Sequence, residues 1–200
     1  MDININMNMK SIRLLAISVT FLLSLLLIIS PLYAYRGNYT YIYELTFLSN
    51  FSTGIFMLIA GILLCLDKKV PQILFLDFSM LLLIVFGVTV SFSGNFNMTG
   101  DMLFLHVINP VLVIAYYFIF SDQTNTKKEL VLTVLCMPVT YLIFAVIYGR
   151  ITGNYIYFFL DYEENGMGYM CLFILGIAVG TALVGFFMYY LNRWARKSGY

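Results

Sequence analysis

Apolar residues run along this chain in six long, almost uninterrupted stretches separated by short polar segments. The stretches cover about residues 14–35, 41–66, 70–92, 102–120, 129–148 and 169–191. A membrane-crossing helix needs about 20 consecutive apolar residues. The runs are continuous rather than alternating, which argues against a β-barrel. The pattern predicts an all-α integral membrane protein, one domain over 1–200 with six transmembrane helices. The breaks fit: Asp67-Lys68-Lys69 stops the second helix, and Pro71 falls in the first turn of the third, where a missing N–H costs little. Residues 93–101 and 121–128 read as polar loops. Lys10 and Arg13 precede a first run longer than the 7–15-residue core of a signal peptide, so it is read as a span.

Composition agrees: 62% of the residues are hydrophobic and 10% charged, against about 25% charged in a soluble domain. A net charge of +1 without a basic patch gives no case for nucleic acid. Six spans place both termini on one side. With the amino terminus inside, the cytoplasmic segments hold Lys10, Arg13, Lys68, Lys69, Lys127, Lys128, Arg193, Arg196 and Lys197. That is nine of the eleven basic residues, and only Arg36 and Arg150 lie outside. Cytoplasmic loops carry the Lys/Arg excess, so both termini are expected in the cytoplasm. Cys65, Cys136 and Cys171 have no metal spacing and read as small buried hydrophobes. Segment 149–168 is outer and aromatic, either a flap over the helix ends or an interfacial belt.

The 102–120 run carries the chain's one histidine, His106, followed by Asn109 and Pro110. An ionisable side chain in such a run is costly and points to function; the plainer alternative is a histidine satisfied by a neighbouring helix. Thr46 and Asn50 are four apart and share a helix face. Thr46 is expected about one to two turns below the outer surface, at the depth of His106. A hydroxyl becomes a nucleophile when a neighbouring base takes its proton, and histidine is the usual base. Asn50 is a candidate oxyanion donor. A lone intramembrane threonine more often bonds its own helix.

Other polar positions carry weaker expectations. Asp77 is expected to pair with Lys68, Lys69 or an inner-loop base, or to relay protons. Asp161 would either orient His106, as a carboxylate does in a triad, or cap the turn before the last helix. Glu44 reads as solvated, and Gly176 and Gly180 form a GxxxG that permits close helix contact. Asn38-Tyr39-Thr40 and Asn97-Met98-Thr99 match the glycosylation acceptor pattern, which is common by chance. No metal-binding or nucleotide-binding motif is present, and no cofactor is implied.

Leu45-Thr46-Phe47-Leu48-Ser49-Asn50, Leu105-His106-xxx-Pro110 and Tyr155-xxxxx-Asp161 resemble, in order and spacing, the Pr6Pr family of bacterial six-helix membrane proteins. That family is similar to the eukaryotic androgen-induced protein and androgen-dependent TFPI-regulating protein group. The resemblance implies a plasma-membrane protein of bacterial type. It also implies hydrolysis of lipid esters of the fatty acid–hydroxy fatty acid kind, with Thr46 as nucleophile and His106 as base. Asn50, Asn109, Tyr155 and Asp161 fall at supporting or substrate-binding positions. The loops here are short, and nothing in them is specific for a branched lipid. Two other classes stay open. One is a small-solute transporter using His106, Asn109 and Asp77, for which no inverted repeat is seen. The other is an accessory protein that binds membrane lipid without catalysis.

Overall fold

The computed structural model describes residues 2–91 and 100–198, with side chains from Lys10 onward. Six helices are long and apolar enough to cross a membrane. They are α1 (Asp2–Ala34), α2 (Leu45–Cys65), α3 (Gln72–Ser91), α4 (Asp101–Phe120), α5 (Lys128–Thr152) and α7 (Met167–Lys197); the short α6 (Tyr162–Asn165) precedes the last. No strand occurs among the described residues. The expected loop at 93–101 and its Asn97-Met98-Thr99 fall almost wholly outside the described residues.

Two boundaries differ from expectation for local reasons. Glu44 is extended (φ −66°, ψ 145°) and Tyr39–Tyr41 forms a separate 3-10 turn, so α2 starts at Leu45 rather than near 41. Thr46 is therefore the second residue of its helix, not a turn or two inside it. Pro71 precedes α3 instead of sitting in its first turn.

The outward faces are apolar: Leu172 is 70% exposed and Phe187 65% exposed. Side chains of this kind need lipid rather than water around them. The same reason corrects the cysteines. Cys65, Cys136 and Cys171 are exposed, because an apolar position in a membrane helix can face lipid as well as the protein interior.

The chain divides into two compact units, one of residues 1–71 and 85–120, the other of residues 72–84 and 121–200. In the first unit α1 and α2 pack through small residues of α2. A Cβ on Gly54 would lie 2.7 Å from the Ile28 side chain and 3.0 Å from the backbone of Ile28 and Leu27. A Cβ on Gly61 would lie 3.1 Å from the ring of Phe21. The facing stripe of α1 is Thr20, Leu23, Ser24, Leu27 and Pro31, at helical spacing and buried. Its hydroxyls are satisfied across the interface or on their own helix. Ser24 donates to the Gly54 carbonyl at 2.9 Å, while Thr20 bonds Ala16 O and the Tyr116 hydroxyl.

In the second unit the aromatic segment folds back on its own helices. Tyr155 lies against Gly149 and packs edge-on to Tyr162, with centroids 5.7 Å apart. Phe159 stacks on Phe173 at 4.2 Å, and Phe159 and Leu160 are buried. Arg150 donates to the Tyr162 hydroxyl and faces Glu163 at 3.5 Å. Gly176 and Gly180, expected to be contact points, have open space where a Cβ would go. Gly185 instead meets Val134.

Gly54→Ala is expected to destabilise the protein by about 1–3 kcal/mol, the usual cost of overpacking against atoms that cannot move away. Gly176→Ala and Gly180→Ala should leave stability within about 0.5 kcal/mol. Thermal unfolding of the detergent-solubilised protein separates the two outcomes.

Candidate active site

The site grows from a proline. Pro110 has no N–H, and its ring crowds the carbonyl four residues back, that of His106. The helix answers with one wide π turn over Phe104–Ile108, in which the Asn109 amide bonds Phe104 O, five residues earlier. In that register the next acceptor, Leu105 O, would await the amide of residue 110, which proline lacks. Asn50 of α2 supplies the donor: its Nδ2 bonds Leu105 O at 3.2 Å and Thr46 O at 2.8 Å. Its Oδ1 accepts from Asn109 Nδ2 at 2.7 Å, and Asn109 Nδ2 also donates to Ser30 Oγ of α1 at 2.9 Å. Asn50 and Asn109 are both fully buried. Together they tie α1, α2 and α4 at one level.

The wide turn holds His106 towards the start of α2. His106 Nε2 lies 3.1 Å from Thr46 Oγ1, and Nδ1 lies 3.0 Å from Met102 O. A carbonyl only accepts, so Nδ1 carries the ring proton. Nε2 is then the lone-pair nitrogen, and the Thr46 hydroxyl donates to it. His106 is 5% exposed, while Thr46 is half-buried. Their chain neighbours Phe47 and Leu105 form a buried apolar cluster with Tyr35, with Phe47 edge-on to Tyr35 at 5.3 Å. A hydroxyl, a correctly tautomeric imidazole and an apolar surround make the arrangement needed for nucleophilic catalysis.

Asn50 does not serve as an oxyanion donor, because both hydrogens of its amide are committed to backbone carbonyls. His106 takes a backbone carbonyl, not Asp161, as the group that fixes its tautomer. Asp161 lies in the second unit, where its Oδ1 accepts from the amides of Glu163 and Glu164 and caps α6. Tyr155 belongs to that unit as well and packs as described above. Glu44 is not merely solvated: it is half-buried and accepts from the Tyr35 hydroxyl at 2.6 Å. The Asp77 carboxyl meets a hydroxyl of its own unit. Thr133 Oγ1 lies 2.9 and 3.1 Å from its two carboxyl oxygens. A hydroxyl at the same depth satisfies the group without drawing a lysine stem into the span. In the first unit, Asp67 pairs with Arg13 at 2.5 Å.

No protein-family model, curated protein or solved structure matches this chain. What the site can do therefore rests on its own geometry. Ser30, Tyr35 and Met102, which sequence reasoning passed over, complete it. Ser30 carried a signal, because it continues the helical spacing of the stripe that holds the hydroxyls of Thr20 and Ser24. Met102 contributes only its carbonyl, and no side-chain pattern reveals that. No group of three or more His, Cys, Asp or Glu suited to a metal occurs among the described residues. An open groove of about 330 Å³ lies between α1 and the start of α4, walled by Leu25, Leu26, Ile29, Ser30 and Phe104 among others. Thr46 and His106 are not in its wall.

Asn50→Leu is expected to strand Leu105 O and Asn109 Nδ2 in a dry interior at about 1–3 kcal/mol for each group. The thermal midpoint should fall further than for Asn50→Gln, which keeps an amide with both a donor and an acceptor. Equal midpoints for the two variants would count against this role.

Proposed function

We propose that this protein is a membrane-embedded hydrolase of lipid esters with Thr46 as nucleophile and His106 as general base. The observation that carries the reading is the 3.1 Å contact between Thr46 Oγ1 and His106 Nε2, with Nδ1 turned to the Met102 carbonyl. The resemblance to the Pr6Pr family and to the androgen-induced protein group supports the same pair. On this reading the protein sits in a bacterial plasma membrane with both termini in the cytoplasm, as the Lys/Arg distribution favours.

The steps follow from the geometry. His106 Nε2 takes the Thr46 hydroxyl proton as Oγ1 adds to the ester carbonyl carbon. The tetrahedral intermediate collapses, the bond to the leaving oxygen breaks, and the imidazolium returns the proton to that alcohol. A water, deprotonated by His106, then attacks the threonyl ester and releases the fatty acid with Thr46 restored. The oxyanion needs donors, and Asn50 has none to give. The first helical amide-to-carbonyl bond of α2 runs from Leu48 N to Glu44 O at 3.0 Å, so the Thr46 and Phe47 amides precede the ladder. Those amides lie beside the nucleophile at the positive end of the helix and are the donors we assign.

A fluorophosphonate probe tests the pair. Labelling of the purified protein should be lost in Thr46→Ala and in His106→Ala, and partly kept in Thr46→Ser, which retains a hydroxyl at the same place. Asp161→Ala should label like the parent. Full labelling of a folded Thr46→Ala or His106→Ala protein sinks the hydrolase reading and leaves lipid binding without catalysis.

A further inference from the structure

We propose that the cleft between the 121–128 loop and the last turns of α7 binds the phosphodiester headgroup of an anionic membrane lipid. The proposal does not depend on the hydrolase reading; it uses only residues of the second unit. The cleft has a volume of about 510 Å³. Lys127 and Lys128 line one wall, and Arg193 and Lys197 line the other. Glu129 is the one acid in the lining.

These cations cannot spread apart by swinging of the loop, because the loop is clipped to α7. Ser121 O accepts from Arg196 Nε at 3.1 Å, from Arg196 Nη2 at 2.9 Å and from Asn192 Nδ2 at 3.2 Å. The Gln123 amide donates to Asn192 Oδ1 at 3.1 Å, and the Tyr189 hydroxyl donates to Thr126 O at 2.7 Å. Arg193 is partly occupied, with Nη1 on Thr126 O at 3.2 Å and on the Tyr189 hydroxyl at 2.5 Å. Asp122 interacts with the charges of Arg196 and Arg193. Among the described residues, no carboxylate is seen paired with Lys127, Lys128 or Lys197. Like charges carried on two facing walls repel, and an anion between them relieves the repulsion.

The floor says which kind of anion. Tyr190, Arg193, Trp194 and Lys197 recur at helical spacing on one face of α7. Trp194 is 65% exposed and Tyr190 54% exposed. Amphipathic rings of this kind favour the headgroup level of a bilayer, and lysine stems extend the apolar surface beneath their charged tips. A cationic rim over an aromatic floor matches an amphiphile, with phosphate at the rim and the glycerol and first acyl carbons on the rings. A free phosphate would use the rim alone. The Lys/Arg distribution puts this end of the chain at the cytoplasmic leaflet, where basic clefts between helices meet anionic headgroups.

Trp194 is the chain's one tryptophan, so it reports on the cleft without engineering. The full-length protein is reconstituted in phosphatidylcholine vesicles carrying rising fractions of bromine-labelled phosphatidylglycerol or bromine-labelled phosphatidylcholine. Labelled phosphatidylglycerol is expected to quench Trp194 at markedly lower mole fraction. Each of Lys127→Gln, Lys128→Gln and Lys197→Gln should weaken that preference about fivefold, the usual worth of one basic residue at an anionic surface. The pair Lys68→Gln and Lys69→Gln, basic residues of the first unit, should leave it unchanged. Equal quenching of the wild-type protein by the two lipids overturns the proposal whatever the variants do. So does equal loss of preference in the Lys68/Lys69 variant, which would mean a general surface potential. Relief of quenching by millimolar inorganic phosphate would mean a soluble-anion site, and that outcome overturns it too.

Discussion

A carbonyl inside a membrane must find a donor within the protein, because lipid offers none. Leu105 O is the carbonyl on which the first unit turns. Pro110 removes the amide that would serve it in the π register, and Asn50 reaches across from α2 to replace that amide. From this one constraint follow the wide turn, the direction of His106, and the link through Asn109 to Ser30 of α1. The same Asn50 also bonds the carbonyl of Thr46, whose hydroxyl meets His106.

The Thr46–His106 contact and the tautomer of the ring are held by separate groups. Thr46 and His106 face each other at 3.1 Å and leave the tautomer to a backbone carbonyl. A buried carboxylate beside the histidine would need its own charge compensation in a dry site. The Met102 carbonyl fixes the tautomer with no net charge. Asp77, a buried acid in a span of the second unit, is likewise met by a neutral group, the hydroxyl of Thr133.

The second unit is organised at its two ends. At one end the aromatic segment after α5 packs Phe159 on Phe173 and spends Asp161 on the amides of α6. At the other, Ser121, Gln123, Thr126, Tyr189, Asn192 and Arg196 clip a short loop to α7. Lys127, Lys128 and Lys197 stand on that fastened framework, which sets where their side chains begin.

The sequence by itself determined the six spans, since a run of about 20 apolar residues has few other fates. It also drew attention to His106, because an ionisable group in such a run is too costly to be there without a partner, and set Thr46 at a similar depth. Its errors share one cause: hydropathy reports that a position is away from water, not what lies against it. The cysteines face outward, and Gly176 and Gly180 face open space while Gly54 carries the tight helix contact. Asn50 has the right chemistry for an oxyanion and the right face, yet its donors are consumed by a carbonyl that only the wide turn exposes. Hydrogen-bond partners across helices, and the backbone register that Pro110 imposes, depend on how the spans pack. Only the tertiary structure decided them.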